Sequence, residues 1–136
     1  MEVREGRIRC LKYEEESASE RYEYVVLQPY ELSLPDGRQI VVPRGFLTDG
    51  SSGGPDCGAS WVFHDYLYAT HAFTSGEPCT REEADAVMSS VLAHEGRYGY
   101  CRVFVKLSWL NPFWLFSSAW EKSGTRGPEF LRSGSL

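Results

Sequence analysis

A small antiparallel sheet with helices on one side, an α+β domain, is predicted by three observations along the 136 residues. Polar and apolar residues alternate at strand period through the first third of the chain. The apolar spacing turns helical beyond about residue 58. Between two of the strand runs, Asp36-Gly37 supplies a tight-turn signal that joins them into an N-terminal hairpin. Three to four helices are expected to cover this sheet.

The elements follow in order. Residues 6–13 alternate as a half-buried strand, and the charged, small-residue stretch 14–20 is expected to be a solvated turn. Residues 22–34 are rich in Tyr, Val and Leu, with Tyr30, Leu32 and Leu34 alternating. Residues 38–42 form the return strand, which Pro43 ends because proline cannot donate to a ladder. The run from Asp49 to Asp56 is almost wholly turn-forming. A helix from residue 58 or 59 to about 73 is apolar nearly all round and should be buried. Thr74-Ser75-Gly76-Glu77-Pro78 breaks it. A second helix opens at Thr80, with Glu83 at capping-box spacing, and carries Ala84, Val87, Met88, Val91 and Leu92 on one stripe before stopping near Gly96. A third helix is expected over 98–110, and a fourth starts at Pro112 behind an Asn111 cap. Residues 1–122 form one domain, and the Gly- and Ser-rich residues 123–136 a loosely packed or disordered tail.

Composition narrows the function. Hydrophobic residues make up 42% and aromatics 14%, enough for one real core. The net charge of −5 argues against general nucleic-acid binding. Cys10, Cys57, Cys79 and Cys101 form no close pair, which removes a zinc ribbon or a redox motif. The charged start resembles no signal peptide, and the apolar stretch 103–120 is interrupted by Lys106, Asn111 and Pro112, so no transmembrane helix is expected. Phe113, Trp114, Phe116 and Trp120 cannot all be buried by one face of a short helix. They are expected to offer an apolar patch to a partner subunit or a membrane surface, unless the tail folds back over them.

Chemistry concentrates on the first two helices. Histidine and aspartate inside an apolar helix cost stability unless partnered. Trp61, His64, Tyr68 and His71 follow spacings of three, four and three and so share a face, while Asp65 is turned about 100° from His64. Asp85 lies at the edge of the second helix's buried stripe, four residues after Arg81. Either it pairs with Arg81 as a boundary carboxylate, or it orients His64 as a general base. The short connection between the helices makes them neighbours, so His64 and Asp85 should face one another, with Tyr68 joining the network. Asp49 and the glycines after it could bend oxygens around an ion, for which calcium is the natural candidate. The alternatives are a structural histidine and a plain connecting loop.

Three segments carry a resemblance. Val42-Pro43-Arg44-Gly45-Phe46-Leu47-Thr48-Asp49 with Ser52, then His64-Asp65-Tyr66-Leu67-Tyr68, then Arg81-Glu82-Glu83-Ala84-Asp85 resemble, in that order, a phage- and virus-associated domain-of-unknown-function family. The resemblance implies a virion-associated or accessory protein, placed in the virion or the host cytoplasm, with other virion subunits as partners. Here Gly53-Gly54-Pro55 follows Ser52 where that family has an apolar segment and a longer linker. A more distant motif likeness is to secreted calcium-dependent phospholipases, which set a glycine-rich calcium loop before a His-Asp-x-x-Tyr helix. It implies His64 as base, Asp65 as calcium ligand beside Asp49, and Asp85 as orienter. The paired helix cysteines of that class are replaced by Val62 and Phe63. Two functions follow from these features: an accessory protein whose His-Asp cluster fixes the fold, and a hydrolase, of lipid esters among others, using His64 and Asp85.

Overall fold

The computed structural model describes residues 1–10, 24–48 and 58–96. The turn at 14–20, the glycine loop with Asp49, the helices expected over 98–110 and from Pro112, the aromatic group Phe113, Trp114, Phe116 and Trp120, and the tail all lie outside the described residues.

Three lengths of chain run antiparallel, and each is interrupted where a ladder cannot continue. The first gives β1 (Glu2–Arg4) and β2 (Arg7–Cys10), the second β3 (Tyr24–Gln28) and β4 (Tyr30–Ser33), the third β5 (Gln39–Val42) and β6 (Leu47–Thr48). At each interruption the chain passes from one sheet to the other, so the sheets have the orders β1-β4-β5 and β2-β3-β6. Pro29 breaks the second length because it has no N–H to give to a ladder. Gly6 breaks the first beside it. A Cβ on Gly6 would lie 2.0 Å from the Gln28 carbonyl oxygen and 2.5 Å from that of Pro29, so only glycine fits this backbone crossing. At the third break, Gly45 N–H donates to the Val26 carbonyl at 2.8 Å and Val26 N–H to that of Phe46 at 3.0 Å.

The fold is thus α+β, but the single hairpin sheet expected from residues 22–34 and 38–42 is corrected to two three-stranded antiparallel sheets. The alternation in 22–34 concealed the break at Pro29. Its second half does pair as expected, Tyr30 with Val42 through Ser33 with Gln39. The turn also differs. Only Gly37 has positive φ, at 94°, and Gly37 N–H donates to the Leu34 carbonyl at 3.1 Å. Pro35 fixes its own φ and sets a β-turn over residues 34–37, with the left-handed glycine closing it, in place of a two-residue turn.

Of the three to four helices expected, the first two lie among the described residues: α1 (Ser60–Thr70) and α2 (Arg81–His94). Tyr30 and Leu32 of β4 and Ile40 and Val42 of β5 point inward and meet Trp61, Val62, Phe63 and Leu67 of α1, with Ala84, Val87 and Val91 of α2 behind them. The helices lie antiparallel. Ala59, at the N-cap of α1, has no capping side chain, and its N–H is taken by Glu95 Oε1 from the far end of α2 at 3.1 Å. No helix among the described residues is long and apolar enough to cross a membrane.

The connection from His71 to Cys79 covers the outer edge of β5. Thr74 N–H donates to the Gln39 carbonyl at 2.8 Å, the Thr74 hydroxyl accepts from Val41 N–H at 2.7 Å, and the Ser75 hydroxyl accepts from Gln39 N–H at 3.0 Å. Edge groups that would otherwise face water are thereby answered, and the helix pair is fixed to the sheet. Arg38 ties the same corner together. It reaches Asp36 at 2.8 Å and Glu83 at 2.5 Å, and its guanidinium lies 4.5 Å from the centre of the Phe73 ring.

Thr80 and Glu83 form the reciprocal capping box that their spacing predicts. The Thr80 backbone N–H, with help from its hydroxyl and from Arg38, holds the Glu83 carboxyl below its ordinary value of 4.5. A carboxyl depressed in the folded state contributes stability above its unfolded pKa and loses it as pH falls through the folded value. Glu83→Gln keeps the cap and removes the charge. Thermal unfolding should therefore show the variant less stable than the parent near neutral pH, with the gap closing as pH drops below about 4. A gap that stays constant down to pH 2 would contradict this account.

Candidate active site

The site is built where α1 and α2 cross. His64 and Tyr68 are one turn apart on α1, so their side chains project together toward α2, with ring centroids 4.3 Å apart. Asp85 sits in the second turn of α2 and is 6% exposed, well inside the buried face rather than at its edge. His64 Nε2 lies 2.8 Å from Asp85 Oδ1, and the Tyr68 hydroxyl donates to the same oxygen at 2.8 Å. Arg81 Nη1 stands 3.8 Å from the other oxygen, Oδ2. One carboxylate thus meets a ring nitrogen and a phenol on one oxygen and a guanidinium on the other.

An ionised carboxylate only accepts, so an ionised Asp85 would take a hydrogen bond from an Nε2–H of His64. Burial, reinforced by the Asp85 carboxylate, pushes the Tyr68 phenol well above its ordinary range, so it remains a donor. The His64 and Asp85 side chains are 12% and 8% exposed, which strengthens each of these contacts relative to water.

The other candidates lie elsewhere. Asp65 turns away from His64, as the helical offset requires, and its Oδ2 accepts from the Thr48 hydroxyl at the end of β6. His71 lies past the last residue of α1. It is the left-handed C-cap of α1, with φ 54° and ψ 24°, and donates its backbone N–H to the Leu67 carbonyl at 2.8 Å. Helical spacing stops at Thr70, so the offset that grouped His71 with Tyr68 no longer applies. Asp49 lies outside the described residues.

Calcium requires six to eight oxygens around it. Asp65 already accepts from Thr48, and among the described residues no three His, Cys, Asp or Glu side chains converge to hold a metal ion. The described residues do not assemble a calcium site. Cys79 does not enter the chemistry either: burial, with Glu83 nearby, pushes its thiol up to about 12.

Two contacts carry no local signal in the sequence. Thr48, within the Pro-x-Gly-Phe-x-Thr-Asp segment, donates its hydroxyl to Asp65, 17 positions along the chain. Glu95 reaches the start of α1 from 36 positions away, and no local pattern signals that. Comparison of the chain with protein-family models, with curated proteins and with solved structures finds no match.

Removing the central carboxylate should cost far more than trimming one donor. Asp85→Ala is expected to lower stability by about 3–5 kcal/mol, the range for breaking a buried pair from one side. Tyr68→Phe should cost about 1 kcal/mol. Urea unfolding of the two variants checks the order, and equal losses would refute it.

Proposed function

We propose that this chain is a phage- or virus-type accessory protein that hydrolyses esters, with His64 as general base and Asp85 and Tyr68 as the residues that hold it. The observation carrying this reading is the single oxygen of Asp85 shared by His64 Nε2 and the Tyr68 hydroxyl, each at 2.8 Å. A carboxylate that accepts a hydrogen bond from the Nε2–H of an imidazole leaves Nδ1 as the basic nitrogen, and a second donor on the same oxygen restricts how the carboxylate can turn. In the reaction, Nδ1 takes a proton from a water molecule as its oxygen adds to the ester carbonyl. The same proton then passes to the departing alkoxide, giving an acid and an alcohol. The phage setting rests on the three motif segments, and lipid esters are suggested as substrates by the His-Asp-x-x-Tyr likeness.

A second reading has its own support. With side chains only 12% and 8% exposed, the His64–Asp85 pair also suits a virion or accessory protein in which the network does no more than lock two helices together. One experiment separates the two. A panel of nitrophenyl esters of increasing acyl length, together with phospholipid vesicles, is assayed with the parent protein and His64→Ala, with melting temperatures measured in parallel. The hydrolase reading expects turnover by the parent that falls by about 100-fold or more in the variant. No turnover by the parent, with a lowered melting temperature in His64→Ala, would overturn it in favour of the structural reading.

A further inference from the structure

Among the described residues β5 is the last strand of its sheet, and what closes its outer side is not a strand. Gln39 and Val41 turn backbone groups away from β4, to the side where a further strand would pair. The connection from His71 to Cys79 stands in that place. Thr74 N–H donates to the Gln39 carbonyl as a strand would. The two outward N–H groups are taken by side chains instead, that of Val41 by the Thr74 hydroxyl at 2.7 Å and that of Gln39 by the Ser75 hydroxyl at 3.0 Å. Ser75 gives its own proton to Glu77 Oε2, so its oxygen faces Gln39 as an acceptor. Phe73, 2% exposed, roots the connection in the core, and Gly76 N–H on the Phe73 carbonyl closes its turn at 3.0 Å.

The covered edge suits a second copy of itself. Gln39-Ile40-Val41-Val42 has three β-branched residues and no charge, proline or glycine. Charge is a common guard on an edge strand, but the adjacent cation, Arg38, is held by Asp36 and Glu83. Two copies of β5 laid antiparallel about Ile40 set Gln39 of each opposite Val41 of the other. The same outward groups then answer one another, and no like charges meet. We propose that the connection from His71 to Cys79 is a strap that occupies the pairing edge of β5 and holds off a second copy of this chain, with the Thr74 and Ser75 hydroxyls as its clasps. Without the clasps, the Gln39 and Val41 N–H groups lose their acceptors, and pairing with a second β5 restores them. Each chain has one such edge, so association about a two-fold axis stops at two copies.

Thr74→Val and Ser75→Ala together remove both hydroxyls and leave Phe73 and the backbone of the turn in place. Sedimentation of the full chain at matched concentrations is expected to show the double variant at twice the mass of the parent. Hydrogen exchange is expected to show the Gln39 and Val41 amides protected in both, by the strap in one and by the second copy in the other. Adding Gln39→Lys, at an exposed position on that edge, is expected to return the mass to that of the parent. A double variant with the mass of the parent would overturn the proposal. So would a doubled mass that Gln39→Lys leaves unchanged, since the copies would then meet elsewhere. If the double variant does not fold, Ser75→Ala alone exposes the Gln39 N–H and is read in the same way: a dimer fraction above that of the parent supports the strap, and an unchanged mass overturns it.

Discussion

Asp85 carries a carboxylate into the contact between two helices, where water hardly reaches, and the arrangement around it follows from that burial. A buried charge must be met by donors on every side it presents. His64 and Tyr68 meet one oxygen and Arg81 faces the other, so α1 and the start of α2 are held in one relative orientation. The apolar packing of Leu67, Ala84, Val87 and Val91 brings the helices together, but it is indifferent to small slides and rotations. Hydrogen bonds of 2.8 Å are not.

The sheets serve this crossing by holding the helices still. The connection from His71 to Cys79 is hydrogen-bonded along β5, and Arg38 joins the β4–β5 turn to Glu83 in the first turn of α2. On the other side, Thr48 at the end of β6 binds Asp65, the neighbour of His64. The two polar residues of the His64-Asp65 pair are therefore anchored in different directions, one to a helix and one to a sheet. That divergence follows from consecutive positions on a helix. It separates the residue bound to Asp85 from the one bound to Thr48.

Much of this was legible in the sequence because its signals were local. Thr80 and Glu83 announce the start of α2, the alternation of Tyr30 and Leu32 marks a strand, and offsets of four along α1 place His64 above Tyr68. The short connection between the helices makes α1 and α2 neighbours, which brings the faces carrying His64 and Asp85 together. What was not legible depends on contacts between distant residues. Gly6 and Pro29 are unremarkable separately, and only their backbone crossing shows that one strand run feeds two sheets. His71 keeps helical spacing in sequence but lies past the end of the helix. Glu95 caps a helix that begins 36 positions earlier.

The central claim is that Asp85 is the shared acceptor binding this helix pair, and a double-mutant cycle measures it most directly. Tyr68→Phe, Asp85→Ala and the double variant are compared with the parent by urea unfolding. Residues that meet in one hydrogen-bond network couple by about 0.5–3 kcal/mol, so the loss in the double variant should fall short of the sum of the single losses by an amount in that range. Losses that add within about 0.3 kcal/mol would mean that Tyr68 and Asp85 act independently, and would contradict the account.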